Sequence, residues 1–305
     1  MANRFQNTIS QPVAFEGRGL HTGAHVHMRL LPAPADSGVR FVRTDLGGLA
    51  IPALAGNVVS TRRCTTIGVE GGSVSTVEHV LSALTGMGID NATVEIDGPE
   101  TPILDGSALP YVEEILKAGI TELDAPRQYV ELSKALTISS ERTGSMIKLE
   151  PCDRLEISLT ADFDSRVLGK QEVRWSEGDD YARELAPCRT FVFFHEIEAL
   201  AQAGLVKGGT VDNAIVIMER EAPQRSVDSV CDLLGLPRCK ATPAGYLDNV
   251  SLHFPDECGR HKLLDLLGDL RLCGGFLHAR VSAFRPGHTI NTQSAAAIIE
   301  AINSK

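Results

Sequence analysis

RHKLLDLLGDLRLCGGFLHARV, residues Arg260–Val281, runs a helical pattern, a glycine turn and a strand pattern in immediate succession. With His261 at zero and about 100° per residue, Asp265 falls near ~40° and Asp269 near ~80°. Leu263, Leu264, Leu266, Leu267 and Leu270 occupy the arc from about 140° to about 300°. The spacing therefore predicts a helix over about Arg260–Leu272 with one leucine face and one face of imidazole and carboxylates. Alternation over Ala279–Phe284 predicts the strand that follows.

An earlier stretch echoes this one. EHVLSALTGMGIDNATVEI, Glu78–Ile96, again sets a His-bearing helix before a glycine turn and a strand, although the spacing differs by several residues. Around the earlier stretch, strand patterns occur at His25–Leu31, Val39–Val42 and Thr93–Ile96, and helical patterns at Val77–Leu84 and Tyr111–Ala118. The polar, proline-bearing TELDAPRQ (Thr121–Gln128) separates this unit from strands at Tyr129–Ile138, Met146–Leu149, Leu155–Ala161 and Glu172–Trp175. The fold class that follows is α+β: two similar domains, residues 1–124 and 125–305, each a sheet with helices packed in layers. Such an arrangement puts a small-molecule site at the domain junction.

Composition narrows the function. A chain of 305 residues with 43% hydrophobic and 22% charged residues excludes disorder and exceeds a usual single core. The longest apolar stretches, Phe191–Phe194 and Ala214–Met218, are far shorter than the roughly 18–20 residues of a membrane span, so no integral membrane contact is expected. Met1–Phe15 lacks a basic-then-apolar signal pattern, and a cytoplasmic protein is expected. The 29 basic and 39 acidic residues give −10, with no basic run to track a phosphate backbone; nucleic acid is not an expected partner, and no obligate protein partner is implied. The seven cysteines are scattered without a C-x-x-C pair, so any metal must be held by histidine and carboxylate.

Several residues carry chemistry in one reading and none in another. His261 and Asp265, at i and i+4, can chelate one divalent metal, or belong to a solvated helix face. STVE (Ser75–Glu78) reads as a capping box, with Ser75 as N-cap; Glu78 beside His79 can instead take a proton from a metal-activated water. Thr190 is an ordinary strand threonine or a donor to a reacting oxygen, and His288 in FRPGH is a surface-loop residue or one projecting into a cleft. Lys262 is a solvated cation or reaches the same cleft mouth as His261. GRGLHTG (Gly17–Gly23) precedes a strand rather than a helix, which excludes a dinucleotide loop and leaves a hairpin turn that can bring His21 to the cleft. PILDGSA (Pro102–Ala108) is a turn in which Asp105 can brace the site.

Taken in order, GRGLHTG, STVEH, PILDGSA, CRTF, HKLLDLLGD and PGH resemble the UDP-3-O-acyl-N-acetylglucosamine deacetylases over Gly17 to His288. The resemblance implies a zinc-dependent cytoplasmic amidase of lipid A biosynthesis in Gram-negative bacteria, acting on a small-molecule substrate with UDP, glucosamine and an acyl chain. It implies zinc ligands at His79, His261 and Asp265, a set that also accepts Fe2+. It makes Glu78 the general base, His288 the general acid, Asp269 the partner of His288, and Thr190 the oxyanion donor. Lys262 and His21 would contact substrate, and Asp162 and Phe163 of TADFD would lie on the uridine side. An insertion around residues 191–217, with Phe191, a helix near Glu196–Ala203 and the AIVIM stretch, would form an apolar passage for the acyl chain, or an ordinary core. The chain departs from the family at Pro286, where serine is frequent, and near Ser145, which lacks a lysine found in some members.

Overall fold

The computed structural model describes residues 4–197, 208, 213–234 and 237–304. Two sheets organise it. In the first, Val13–Arg18 pairs antiparallel with His25–Pro32, which pairs antiparallel with Ala92–Ile96. That central strand runs parallel to Val39–Arg43, which pairs antiparallel with Leu49–Pro52. In the second sheet the order is Leu136–Ser140, Ser145–Pro151, Phe276–Phe284, Glu156–Asp162 and Lys170–Ser176, with the same succession of antiparallel, antiparallel, parallel and antiparallel neighbours. The weak echo in sequence is thus a repeated α+β topology.

In both units a helix precedes the central strand, Glu78–Gly86 in the first and Glu257–Leu270 in the second. Each central strand leads on to another helix, Leu109–Ala118 or His288–Asn303. The two preceding helices pack on each other and join the units. Their close approach needs Gly268, because a Cβ there would lie 2.0 Å from the Glu78 carbonyl oxygen. The leucines of Glu257–Leu270 enter one core with Leu81, Leu84, Val94, Ile147 and Val281. Its polar residues are buried as well: His261 and Asp265 are 2% exposed and Asp269 0%, so the solvated-face reading of this helix fails.

Between edge strand and buried helix the units differ. The first holds a small sheet of Val58–Ser60, Thr66–Val69 and Gly72–Ser75. The second holds Phe191–Phe193 running parallel to Ile215–Ile217, followed by the helix Gln224–Leu234.

Three sequence expectations change. Most of Thr121–Gln128 lies in a strand, Ile120–Pro126, paired antiparallel with Phe5–Ile9. Its residues stay largely exposed, and a solvent-facing strand has the polarity of a linker. Tyr129–Ile138 is two strands, Tyr129–Glu131 alongside Phe276–Phe284 and Leu136–Ser140 at the far edge. The helix expected from Arg260 starts at Glu257 and tightens into a 3-10 turn at Arg271–Cys273. The helix expected near Glu196–Ala203 falls mostly outside the described residues. Among the described residues no helix is long and apolar enough to cross a membrane.

Candidate active site

Where the two buried helices meet, a cavity of about 250 Å³ is lined by Glu78 and His79 from the first, and by His261, Lys262 and Asp265 from the second. His21, Thr190, Phe191 and His288 complete the predicted residues on its wall.

Three side chains converge on one oxygen. Asp265 Oδ1 lies 3.4 Å from His261 Nε2 and 3.8 Å from His79 Nε2, and the two rings stand nearly perpendicular with centroids 5.1 Å apart. The His261 Nδ1–H donates to the Cys188 carbonyl at 3.0 Å, which leaves the Nε2 lone pair facing inward. Asp265 Oδ2 accepts from Lys262 Nζ at 2.9 Å, whereas Oδ1 is buried with no hydrogen-bond donor among the described residues. Burial, reinforced by His261, drives the His79 imidazole down to about 3, and burial likewise lowers His261, so both rings are neutral. For Asp265 burial acts upward but is outweighed by its cationic surroundings, including the Lys262 ammonium at 2.9 Å, which hold the carboxyl well below the usual range. Two neutral imidazoles and an ionised carboxylate, one oxygen lacking any donor, fit a divalent cation; an unpartnered buried carboxylate oxygen is otherwise costly.

An acid and a base adjoin this trio. Glu78 Oε2 accepts from the Thr65 backbone N–H at 3.1 Å, and Oε1 lies 3.8 Å from His288 Nε2. His288 Nδ1 donates to Asp269 Oδ2 at 3.0 Å. Asp269 also accepts from Asn291 Nδ2 at 3.0 Å and from Thr65 Oγ1 at 2.5 Å. Burial raises Glu78 to about 8, opposed by His288. In His288 burial acts downward but Asp269 and Glu78 overcome it, raising the imidazole to about 9. A weakly acidic carboxyl beside an imidazolium is the arrangement general acid–base work requires.

The expected capping box does not form. Ser75 ends a strand, Val77 is the N-cap without a side-chain bond, and the Glu78 carboxylate turns to Thr65 instead. The cause is Thr76, whose left-handed backbone (φ 59°) redirects the chain and whose hydroxyl donates to Glu100 Oε1 at 2.8 Å. Glu100 is fully buried and also accepts from the backbone N–H groups of His21 and Thr22 and from the Thr22 hydroxyl. One carboxylate thereby ties the His21 hairpin turn to the start of the Glu78 helix.

Thr190 directly precedes the strand Phe191–Phe193, its N–H bonded to Gly106 and its carbonyl to the Ile215 N–H, each at 2.8 Å. Phe191 presents its edge to His261 at 6.3 Å between centroids, with Lys262 Nζ 5.6 Å from its centre. Asp162 and Phe163 do not line the cavity. Asp162 accepts from Arg285 at 3.1 Å, and Phe163 packs edge to face with the cavity-lining Phe191 at 5.4 Å between centroids. Asp105 does not line the cavity; it accepts from the Ser107 N–H and hydroxyl, the local bond an Asp makes two residues ahead, within the turn whose Gly106 carbonyl accepts from the Thr190 N–H.

Sequence reading missed Arg63, Thr65, Glu100 and Gly268. Arg63 borders the cavity from a left-handed backbone (φ 72°). Nothing in the local pattern separates Thr65 from a strand threonine or Glu100 from a loop carboxylate. Gly268, between leucines and an aspartate, carried a signal: a glycine inside a helix pattern marks close packing.

The family profile described as UDP-3-O-acyl N-acetylglycosamine deacetylase matches residues 6–227 and 241–300. A bifunctional enzyme LpxC/FabZ of Porphyromonas gingivalis is 41% identical over 95% of this chain, which spans 63% of that protein's length. The UDP-3-O-acyl-N-acetylglucosamine deacetylase of Myxococcus xanthus is 41% identical over 94% of this chain and 83% of its own. That of Saccharophagus degradans is 37% identical over 97% and 90%. With a profile that covers both buried helices and every residue of the convergent trio, this chain belongs to the LpxC family of UDP-3-O-acyl N-acetylglycosamine deacetylases.

Proposed function

We propose that this chain hydrolyses the N-acetyl group of a UDP-3-O-acyl-N-acetylglucosamine, releasing acetate and a free amine in the cytoplasm as a step of lipid A biosynthesis. The observation that carries the reading is the donorless Asp265 Oδ1 converging with two neutral imidazoles in the cavity that also holds Glu78 and His288. His79, His261 and Asp265 hold the metal, zinc by the chemistry of this donor set, with Fe2+ the other cation it accepts. When bound, the metal supplies a Lewis acid that polarises the acetyl carbonyl and brings the acidity of water toward neutral pH.

The chain's own groups do the rest. Glu78 takes the proton of the attacking water, its carboxylate steadied by the Thr65 N–H. The Thr190 hydroxyl donates to the carbonyl oxygen as it gains negative charge. His288, oriented through Nδ1 by Asp269, presents Nε2–H to the departing nitrogen, which cannot leave without a proton. Lys262 and His21 contact the substrate at the cavity wall, and Phe191, Val192 and Phe193 begin an apolar wall for the acyl chain. Asp162 and Phe163 serve the uridine end from outside the cavity. A division into residues 1–124 and 125–305 belongs to the same reading, the catalytic groups coming from both sides of it.

Acetate release tests this. Metal-replete protein should release acetate from the UDP-linked, 3-O-acylated substrate and not from simple N-acetyl sugars, and a chelator should abolish release while the circular dichroism spectrum persists. Comparable turnover of simple N-acetyl sugars would indicate a hydrolase for another N-acyl substrate. Unfolding on chelation without any turnover would indicate a nucleotide-sugar binding module with a structural metal.

A further inference from the structure

A second cluster of ligand-type side chains lies outside the cavity, on the solvent face of the first sheet. Alternation in His25–Pro32 buries Val26 and Met28 and leaves His25 and His27 exposed on one face. Glu16, on the neighbouring strand, sits in register opposite His27. Its Oε1 is 3.1 Å from His25 Nε2 and 4.0 Å from His27 Nε2, and the two imidazoles meet edge to face at 5.3 Å between centroids. One ligand atom from each of the three side chains lies within 4.8 Å of the others. Ligands about 2.1 Å from a tetrahedral cation stand ~3.4 Å apart, so the two Glu16 separations bracket the required spacing and small side-chain rotations close it.

The second histidine is already oriented for a ligand's role. Asp97 accepts from the His27 backbone N–H and from its Nδ1, both at 2.7 Å. With Nδ1 bonded to Asp97, Nε2 is the atom facing the Glu16 carboxylate; Asp97, with Glu16, raises the imidazole's pKa, so a proton and a metal compete for that position. Lone pair facing carboxylate is repulsive unless a proton or a metal lies between them. A carboxylate behind an imidazole is also the usual support of a metal-bound histidine. The neighbouring cations are engaged elsewhere: Arg18 donates to the Gly23 carbonyl and Arg29 pairs with Glu95.

We infer that Glu16, His25 and His27 form a second site for a divalent transition metal of the Zn2+ or Ni2+ class, with Asp97 orienting His27 and water filling the remaining positions. The site is independent of the buried trio in residues and in element. It bridges the two strands of the hairpin whose turn carries His21 to the cavity, so an occupied site fastens the base of that turn.

The test is nickel content by equilibrium dialysis of untagged, metal-replete protein, compared with the double variant His25→Asn, His27→Gln. Both side chains are exposed, and thermal melting followed by circular dichroism checks that the variant folds. Wild type should hold one nickel equivalent more than the variant, and Asp97→Asn should weaken that equivalent about 10–100-fold. Because the readout is a difference between two proteins, it does not depend on what the buried trio contributes. Equal nickel content in wild type and the double variant overturns the proposal.

Discussion

The two sheet–helix units repeat the same strand order, yet the chain between edge strand and buried helix serves different ends in each. In the first unit residues 53–77 form a small sheet that brings in Arg63, Thr65 and Thr76, and Thr65 bonds to both Glu78 and Asp269. In the second, the longer interval 177–256 brings Thr190 and the Phe191–Phe193 strand to the cavity, a wall that is mostly apolar. The buried helices differ as well. The first offers Glu78 and His79 at its N-terminal end, whereas the second spreads His261, Asp265 and Asp269 along successive turns. A shared scaffold thus sets two helices in contact, one insertion bonds to the buried carboxylates Glu78 and Asp269, and the other supplies a largely apolar stretch of cavity wall. Neither half holds a complete site.

The strongest test of that division removes one ligand from either side. His79→Ala should empty the metal site as fully as His261→Ala or Asp265→Ala, with acetate release falling to background, because a tetrahedral site reduced to two protein ligands binds weakly. Metal content after gel filtration reads it directly. Retention of metal by His79→Ala alone would mean that the second helix suffices, and the comparison between halves would break.

Next in size is Glu78→Gln. It should keep the metal and lose about 10²–10⁴-fold in turnover, the contribution of a positioned general base. Wild-type turnover in this variant would remove Glu78 from the proton path.

Gly268→Ala probes the contact between halves itself. The added methyl meets the Glu78 carbonyl oxygen, which is backbone and cannot swing aside. We expect a loss of about 1–3 kcal/mol in urea unfolding, the usual cost of overpacking, together with weaker metal retention as the helices part. Unchanged stability would show that the helices slide freely.

How much of this was legible beforehand depended on the kind of signal. Within Arg260–Val281 the helix was legible, apart from its ends, because leucines and polar groups separate by angle, and angle survives folding. Its burial was not legible: a face of His261, Asp265 and Asp269 looks solvated unless a second helix is known to cover it. Glu78 and His79 were marked by adjacency, but the capping box was misplaced because nothing in STVE announces the left-handed Thr76. The roles of Glu100 and Thr65 depend on partners far along the chain, His21 and Asp269 among them, which no local window contains. Ile120–Pro126 read as a separator because an exposed strand and a linker share a composition. Order along the chain was therefore informative where periodicity or motif was strong, and silent where one residue acts across two elements.

Asp269→Asn sharpens the assignment of acid and base. On the proposed mechanism activity requires an ionised Glu78 and a protonated His288, so turnover should rise as pH climbs through the raised pKa of Glu78 and fall as it climbs through that of His288, about 9. Replacing the carboxylate by an amide removes the attraction that raises His288, so the basic limb of kcat should move to lower pH and turnover at neutral pH should drop. A basic limb that stays in place would exclude His288 as the titrating acid.

Thr65 carries the smallest expected effect and the most specific one. Its backbone N–H bonds to Glu78 Oε2 and its hydroxyl to Asp269 Oδ1, so one residue from the first insertion joins both buried carboxylates. Thr65→Val keeps the backbone bond and the β-branched shape but leaves a fully buried Asp269 oxygen without its donor, a loss of about 1–3 kcal/mol in stability. If Thr65 only packed, Thr65→Val would be nearly silent and Thr65→Ser, which opens a small gap, would be the worse variant. If it positions, the order reverses: Thr65→Val should lower kcat about 5–10-fold with KM unchanged, and Thr65→Ser should restore most of it because the hydroxyl returns. The two variants thus separate shape from hydrogen bonding at a residue of the first insertion that bonds to the buried helix of each unit.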